Sequence, residues 1–154
     1  MSEVTINIDD WADKIGVVAR VLGYYELLNT RRLDEAFSMV ADDATYTAPY
    51  DGQRPEALPL EYVNRTATGA IRDLQTSMKR VTQVAANVAI SEWEASGTFP
   101  DGEAFSQIGV SRYEFNDSGK LQAQTSFFLS PATAARVARE TGLYPFKATS
   151  SRQA

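Results

Sequence analysis

At Leu74 the spacing of apolar residues changes period, and that change limits the folds open to the chain. From there to Leu129, apolar and polar residues alternate, the pattern of strands with one buried face. Four segments carry it: Thr76–Ala86, Val88–Phe99, Ala104–Phe115 and Leu121–Leu129. Ala85-Ala86-Asn87, Pro100-Asp101-Gly102 and Asn116-Asp117-Ser118-Gly119-Lys120 separate them and supply turn residues. Upstream the period is helical. Val17, Val18, Val21, Leu22, Tyr25 and Leu28 share a face of a helix that Asp9 or Asp10 caps and that ends near Asn29. Leu33, Ala36, Phe37 and Val40 give a second, short helix. Asp42-Asp43 stops it, and Ala44-Thr45-Tyr46-Thr47-Ala48 reads as the first strand. A proline-rich loop follows, placed at a pocket mouth, and then a third helix from Leu60 to Ile71. Ser130 caps a last helix, with Pro131 at its first position and Gly142 at its end. Helices ahead of a run of long strands predict an α+β fold, with one curved antiparallel sheet wrapping a helical layer.

The 154 residues suffice for one domain, drawn here as 1–146 with a disordered tail at 147–154. Net charge is −5, which disfavours a nucleic-acid surface because phosphate neutralisation needs basic patches. The chain has no Cys and no His. Disulfides, cysteine nucleophiles and Ser-His pairs are therefore excluded, and acid–base work falls to Asp, Glu, Tyr, Lys or water. No Gly-rich phosphate loop and no metal-ligand spacing stand in the sequence, so neither cofactor nor metal is expected. With no long apolar run and an acidic start, the expectation is a cytoplasmic protein without a membrane partner.

The order of parts in residues 21–48, helix, N-x-x-x-L-D, helix, A-D-D-A-T-Y and strand, resembles the start of the NTF2-like superfamily. That superfamily includes the SnoaL-like polyketide cyclases and the ketosteroid isomerases. Tyr113-Glu114-Phe115-Asn116-Asp117-Ser118-Gly119-Lys120 and the strand after it are similar to the family's closing signature. The resemblance implies a cone, with three N-terminal helices and the concave sheet enclosing a largely apolar pocket, plus a C-terminal helix. It also implies a homodimer through the other sheet face.

Aligned with the isomerase pattern, Tyr24 falls at the Tyr that binds the enolate oxygen. Ala48 falls at the Asp base and Ser111 at the second Asp, so two of the three groups that this proton shuttle requires are missing. The same register turns Phe105, Gln107, Gly109, Ser111 and Tyr113 inward. Gln122, Gln124, Ser126 and Phe128 face in on the last strand, and Tyr46, Ala48 and Tyr50 on the first. Glu92 and Glu94, with Ser96 and Thr98, would point into the pocket as paired carboxylates able to serve as acid and base; alternatively this face is solvated and Trp93 is the buried side, a one-residue bulge being enough to swap the two. An aromatic set, Tyr46, Tyr50, Tyr62, Phe105, Tyr113 and Phe128, would line it for a flat or polyene ligand.

Three functions follow as expectations. The first is a cofactor-independent SnoaL-like polyketide cyclase of natural-product, antibiotic-type biosynthesis acting on a hydrophobic substrate. It closes rings by shape, as in a [4+2] cycloaddition, with Tyr24, Ser111 or Gln124 hydrogen-bonded to a carbonyl. The second is an isomerase, dehydratase or hydrolase using Glu92 or Glu94. The third is a non-catalytic binding or dimerisation module.

Overall fold

The computed structural model describes residues 16–48 and 57–143. The apolar stripe predicted near the N-terminus forms α1, Val17–Asn29, and buries Val17, Val21, Tyr24, Tyr25 and Leu28. The second helical stretch yields one turn, α2, Leu33–Phe37. Here the chain departs from expectation. Val40 already belongs to β1, Val40–Thr47, and Asp42 and Asp43 lie inside that strand rather than stopping a helix. Pairing with the neighbouring strand jumps from Val40↔Leu121 to Thr45↔Ala123, and the extra residues of this bulge carry both aspartates into solvent. A two-residue strand, β2, Leu58–Pro59, leads into α3, Leu60–Ala70.

The period-two region folds as read. β3 is Gln75–Ala85, β4 Val88–Thr98, β5 Ala104–Phe115 and β6 Leu121–Phe128. α4, Pro131–Thr141, starts at Ser130 and ends where Gly142 adopts φ 86°, a left-handed conformation that glycine adopts freely. The predicted cap residues Asp9 and Asp10, the loop containing Tyr50 and the tail from 147 lie outside the described residues.

The six strands form one sheet in the order β2-β1-β6-β5-β4-β3. β3 to β6 are an antiparallel meander, as predicted, but β1 runs parallel to β6. The sheet is therefore mixed rather than antiparallel: the chain crosses over through α3 and the meander before β6 returns beside β1. α1 packs across β3 and β4, and its buried face joins Val40, Met78, Val81, Trp93, Tyr113, Phe115 and Leu121 in the main core.

The end of α1 is fastened to the sheet. Asn29 Nδ2 donates to Thr76 O at 2.8 Å and its Oδ1 accepts from Thr76 N at 2.9 Å, so one side chain copies a strand's hydrogen-bond pair. Arg31, at φ 62°, gives its guanidinium to the carbonyls of Leu28, Ile71, Arg72 and Leu74. These bonds offset the roughly 1 kcal/mol cost of a left-handed non-glycine residue and fix the helix end over the concave face.

Candidate functional site

Strand register decides which side chains reach that face. β4 and β5 pair without interruption from Val88↔Glu114 to Thr98↔Ala104. Directly opposed residues in an antiparallel pair point to the same side. Trp93 opposes Gly109, Ser91 opposes Ser111 and Ala95 opposes Gln107, and all of these are buried. Glu92 opposes Val110 and Glu94 opposes Ile108, so both carboxylates point to the convex face, against the expectation that they enter the pocket. Ser96 and Thr98 fall on the same outward register. Glu94 pairs with Lys79 at 2.8 Å and accepts from Ser106 Oγ at 2.9 Å. Those contacts, the lysine's first, hold its pKa below the usual carboxylate value. Nothing in that setting resembles a base poised near neutrality.

Between α1, α3, α4 and the concave sheet is a cavity of about 120 Å³, open on one side. Tyr25, Tyr46, Trp93, Gln107, Gln124 and Phe128 are among its walls, and Val63, Ala67, Ala138 and Leu143 close it from the helices. An apolar void of about 150 Å³ holds one benzene ring, so the enclosed part accommodates one ring and the remainder of a larger ligand emerges through the opening. Among the described lining residues no Asp, Glu or Lys is present, and the one charged side chain is Arg31 at the edge.

The polar groups of the wall form a connected chain. Trp93 Nε1 donates to Ser111 Oγ at 2.8 Å, and Ser111 Oγ lies 2.7 Å from Ser126 Oγ. Gln124 Nε2 reaches Ser126 Oγ at 3.3 Å and Tyr25 Oη at 3.0 Å. Ser91 Oγ and Tyr113 Oη are 2.8 Å apart beneath them. Trp93 reaches Ser111 because its ring lies over Gly109: a β-carbon at 109 would stand 2.3 Å from its Cζ2. Phe128 meets the same ring edge to face at 5.6 Å.

The phenols of this region are held neutral. Burial pushes Tyr25 well above its ordinary pKa, reinforced by the neighbouring Tyr113. Burial also raises Tyr46, against a lowering bond to Ser126, and pushes Tyr113 up to about 12. At neutral pH the described wall residues therefore offer neutral donors and acceptors, with no carboxylate among them.

The candidates read from the sequence divide in the folded chain. Ser111, Gln124, Ser126 and Tyr46 stand in one hydrogen-bonded group at the cavity or directly behind it, with Phe128 on the wall. Tyr24 does not line the cavity. Its ring packs on Phe37 and Tyr25, its hydroxyl accepts from Asn64 Nδ2 at 2.5 Å, and burial raises its pKa. Tyr25, about 100° further round α1, takes the place expected for it. Tyr62 is half-exposed on the outer side of α3. Phe105 stacks on Phe99 at 4.5 Å in a separate cluster with Ile71. Ala48 is buried outside the cavity wall and Tyr113 lies beneath it. Gln122 sits opposite the bulge in β1, bonded to Asp43 at the surface. Tyr50 lies outside the described residues. Trp93 is a wall residue, as the alternative reading of this stretch with Trp93 as the buried side requires, and the bare backbone of Gly109 leaves room for its ring.

The family model described as a SnoaL-like domain matches residues 21–123. No curated protein matches the chain. Among solved structures, RV0760c from Mycobacterium tuberculosis, in complex with estradiol-17beta-hemisuccinate, is similar at a TM-score of 0.62 and 13% identity. The match covers 71% of this chain and 91% of that one. SalBIII, an epoxide hydrolase/cyclase-like enzyme of pyran ring formation in the polyether salinomycin, gives 0.60 and 14%, covering 71% and 87%. A putative polyketide cyclase from Xanthomonas campestris pv. campestris gives 0.58 and 16%, covering 79% and 96%. At these identities the structural likeness shows the fold, a cone of the NTF2-like kind. The family match spans most of the chain, which therefore belongs to the SnoaL-like domain family.

Proposed function

We propose that this chain is a cofactor-independent cyclase of natural-product biosynthesis that closes a ring in a linear, unsaturated substrate by holding its reacting carbons together. The observation that carries this reading is the character of the cavity wall: apolar surface with neutral hydrogen-bonding groups and no carboxylate among its described residues. A cycloaddition of the [4+2] kind needs no base. Orientation in a shaped cavity lowers its barrier by several kcal/mol or more. Ser111, Ser126 and Gln124 set the polar side of the wall, and Trp93 and Phe128 the apolar side. The mycobacterial neighbour is in complex with estradiol-17beta-hemisuccinate, an apolar ring skeleton with a polar hemisuccinate arm, and the likeness of fold supports a substrate with an apolar ring skeleton here. The cyclases among the neighbours support the reaction class.

The test is ring formation from linear polyenes, followed by mass-neutral product analysis across pH 6 to 9. Proximity catalysis gives a rate that is flat across that range. A bell-shaped or sigmoid profile would require a titrating base and would overturn the reading.

A second reading, a binding or docking module without turnover, is favoured by the saturation of the hydroxyls in the wall, which bond one another. Ligand binding with no product from any polyene tested would select it. In either reading the protein works as a homodimer. Its convex sheet face exposes Ile108, Phe127 and Leu129 beside one another, with Val110 opposite Phe127. Phe127→Glu would then give monomers by sedimentation, while a wild-type monomer would exclude the dimer.

A further inference from the structure

Two side-chain atoms in the cavity wall stand outside its otherwise closed network. Gln107 Oε1 and Gln124 Oε1 are buried and have no hydrogen-bond partner. Both side chains are more than nine-tenths buried, and both line the cavity. The amide of Gln124 is held by its nitrogen, which donates to Tyr25 Oη and Ser126 Oγ, so its oxygen is the atom left for a ligand. A buried acceptor without a donor carries a desolvation penalty that a bound ligand removes. Trp93 Nε1 is engaged by Ser111, and Gln124 Nε2 by Tyr25 and Ser126. Among the described residues, the two glutamine oxygens are left without a donor.

We propose that the cavity recognises ligands through hydroxyl or N–H groups donated to Gln107 Oε1 and Gln124 Oε1, and discriminates against analogues that carry only acceptors at the same positions. This inference rests on the cavity being the ligand site and names the class of ligand: an apolar skeleton bearing hydrogen-bond donors. The two glutamines stem from separate points of the sheet: Gln124 opposes Tyr113, whose backbone lies six residues along β5 from Gln107, about 20 Å by strand rise. A ligand that satisfies both therefore carries donors at two separated points of an elongated skeleton, and a shorter one satisfies a single glutamine. The expected role of Gln124 is reversed: it accepts from the ligand instead of polarising a carbonyl.

The probes are 2,6-dihydroxynaphthalene, 2-naphthol and 2,6-dimethoxynaphthalene, with near-identical apolar bodies, titrated calorimetrically into the full-length chain. The dihydroxy compound is expected to bind at least about tenfold more tightly than the dimethoxy compound, the scale of one buried hydrogen bond. In the Gln107→Leu,Gln124→Leu double variant that ratio should fall to near one. Equal or tighter binding of the dimethoxy compound to the wild-type chain would overturn the inference, and that comparison needs no variant to fold. So would a failure of all three probes to bind. The cyclase reading fails separately: donor selectivity with no ring formation overturns that reading alone, and ring formation without donor selectivity overturns this inference alone.

Discussion

Trp93 lies across the bare backbone of Gly109, so closely that a β-carbon there would meet its Cζ2 at 2.3 Å and the carbonyl oxygen of Phe127 at 2.7 Å. The indole can then reach Ser111 Oγ and present its edge to Phe128. One small residue thus sets both the floor of the cavity and the position of its polar network.

Gly109→Ala should displace the indole and strand its N–H. Overpacking of this kind costs about 1–3 kcal/mol, which lowers the melting temperature by roughly 5 °C in a chain of this size. Thermal melts measure it. An unchanged melting temperature would mean that Trp93 has room the geometry denies it.

Ser111→Ala removes the acceptor for Trp93 Nε1 and a partner of Ser126. The expected loss is about 1–3 kcal/mol, the cost of a buried donor left unpaired. In a double-mutant cycle with Ser126→Ala, the two losses should sum to more than the double variant shows, because they share one hydrogen bond. Denaturant unfolding of the four proteins provides the check.

Tyr25→Phe and Tyr24→Phe should part company in a binding assay. The first removes a partner of Gln124 at the cavity and should weaken a bound ligand by up to roughly tenfold. The second breaks only the Asn64 contact on the α3 side and should cost stability without a comparable change in affinity. Glu92→Gln and Glu94→Gln should leave ring formation at wild-type rates, since both carboxylates lie on the opposite face of the sheet.

Alkaline pH probes the buried phenols. In the folded chain Tyr24, Tyr25, Tyr46 and Tyr113 hold their protons above the ordinary value, and Tyr113 does so to about 12. The unfolded chain gives up those protons near 10. Their contribution is therefore fully present below about pH 10 and declines as pH rises toward the folded values. The phenolate absorbance at 295 nm should accordingly appear in two stages, exposed phenols first and the buried group only with unfolding. A single smooth titration near pH 10 would contradict the burial.

Much of this architecture was legible in the sequence because period and turn chemistry are local. The alternation after Leu74 and the Asn116–Lys120 turn gave β3 to β6 nearly residue by residue, and Ser130-Pro131 with Gly142 bounded α4. The parallel pairing of β1 with β6 was not legible, since no local pattern records which distant strand a segment joins. Nor was the facing of Glu92 and Glu94. It depends on the register of β4 against β5, which the Phe99–Glu103 connection sets and which Gly109 beneath Trp93 enforces. Tyr24 and Tyr25 differ by a single helical step, so the rotation of α1 on the sheet, held by Asn29 and Arg31, decided which of them lines the cavity. The unpartnered oxygens of Gln107 and Gln124 emerge only when every neighbouring donor is accounted for.

Trp93 offers the most direct test of the central claim, that ligand sits against this wall. In a Trp11→Phe variant it is the sole tryptophan, and the resonance of its 15N-labelled indole N–H can be followed as 2,6-dihydroxynaphthalene is added. A saturable shift of that resonance is predicted, abolished by an Ala95→Phe variant that fills the cavity. Calorimetric binding with no shift of the Trp93 resonance would place the ligand elsewhere and contradict this site.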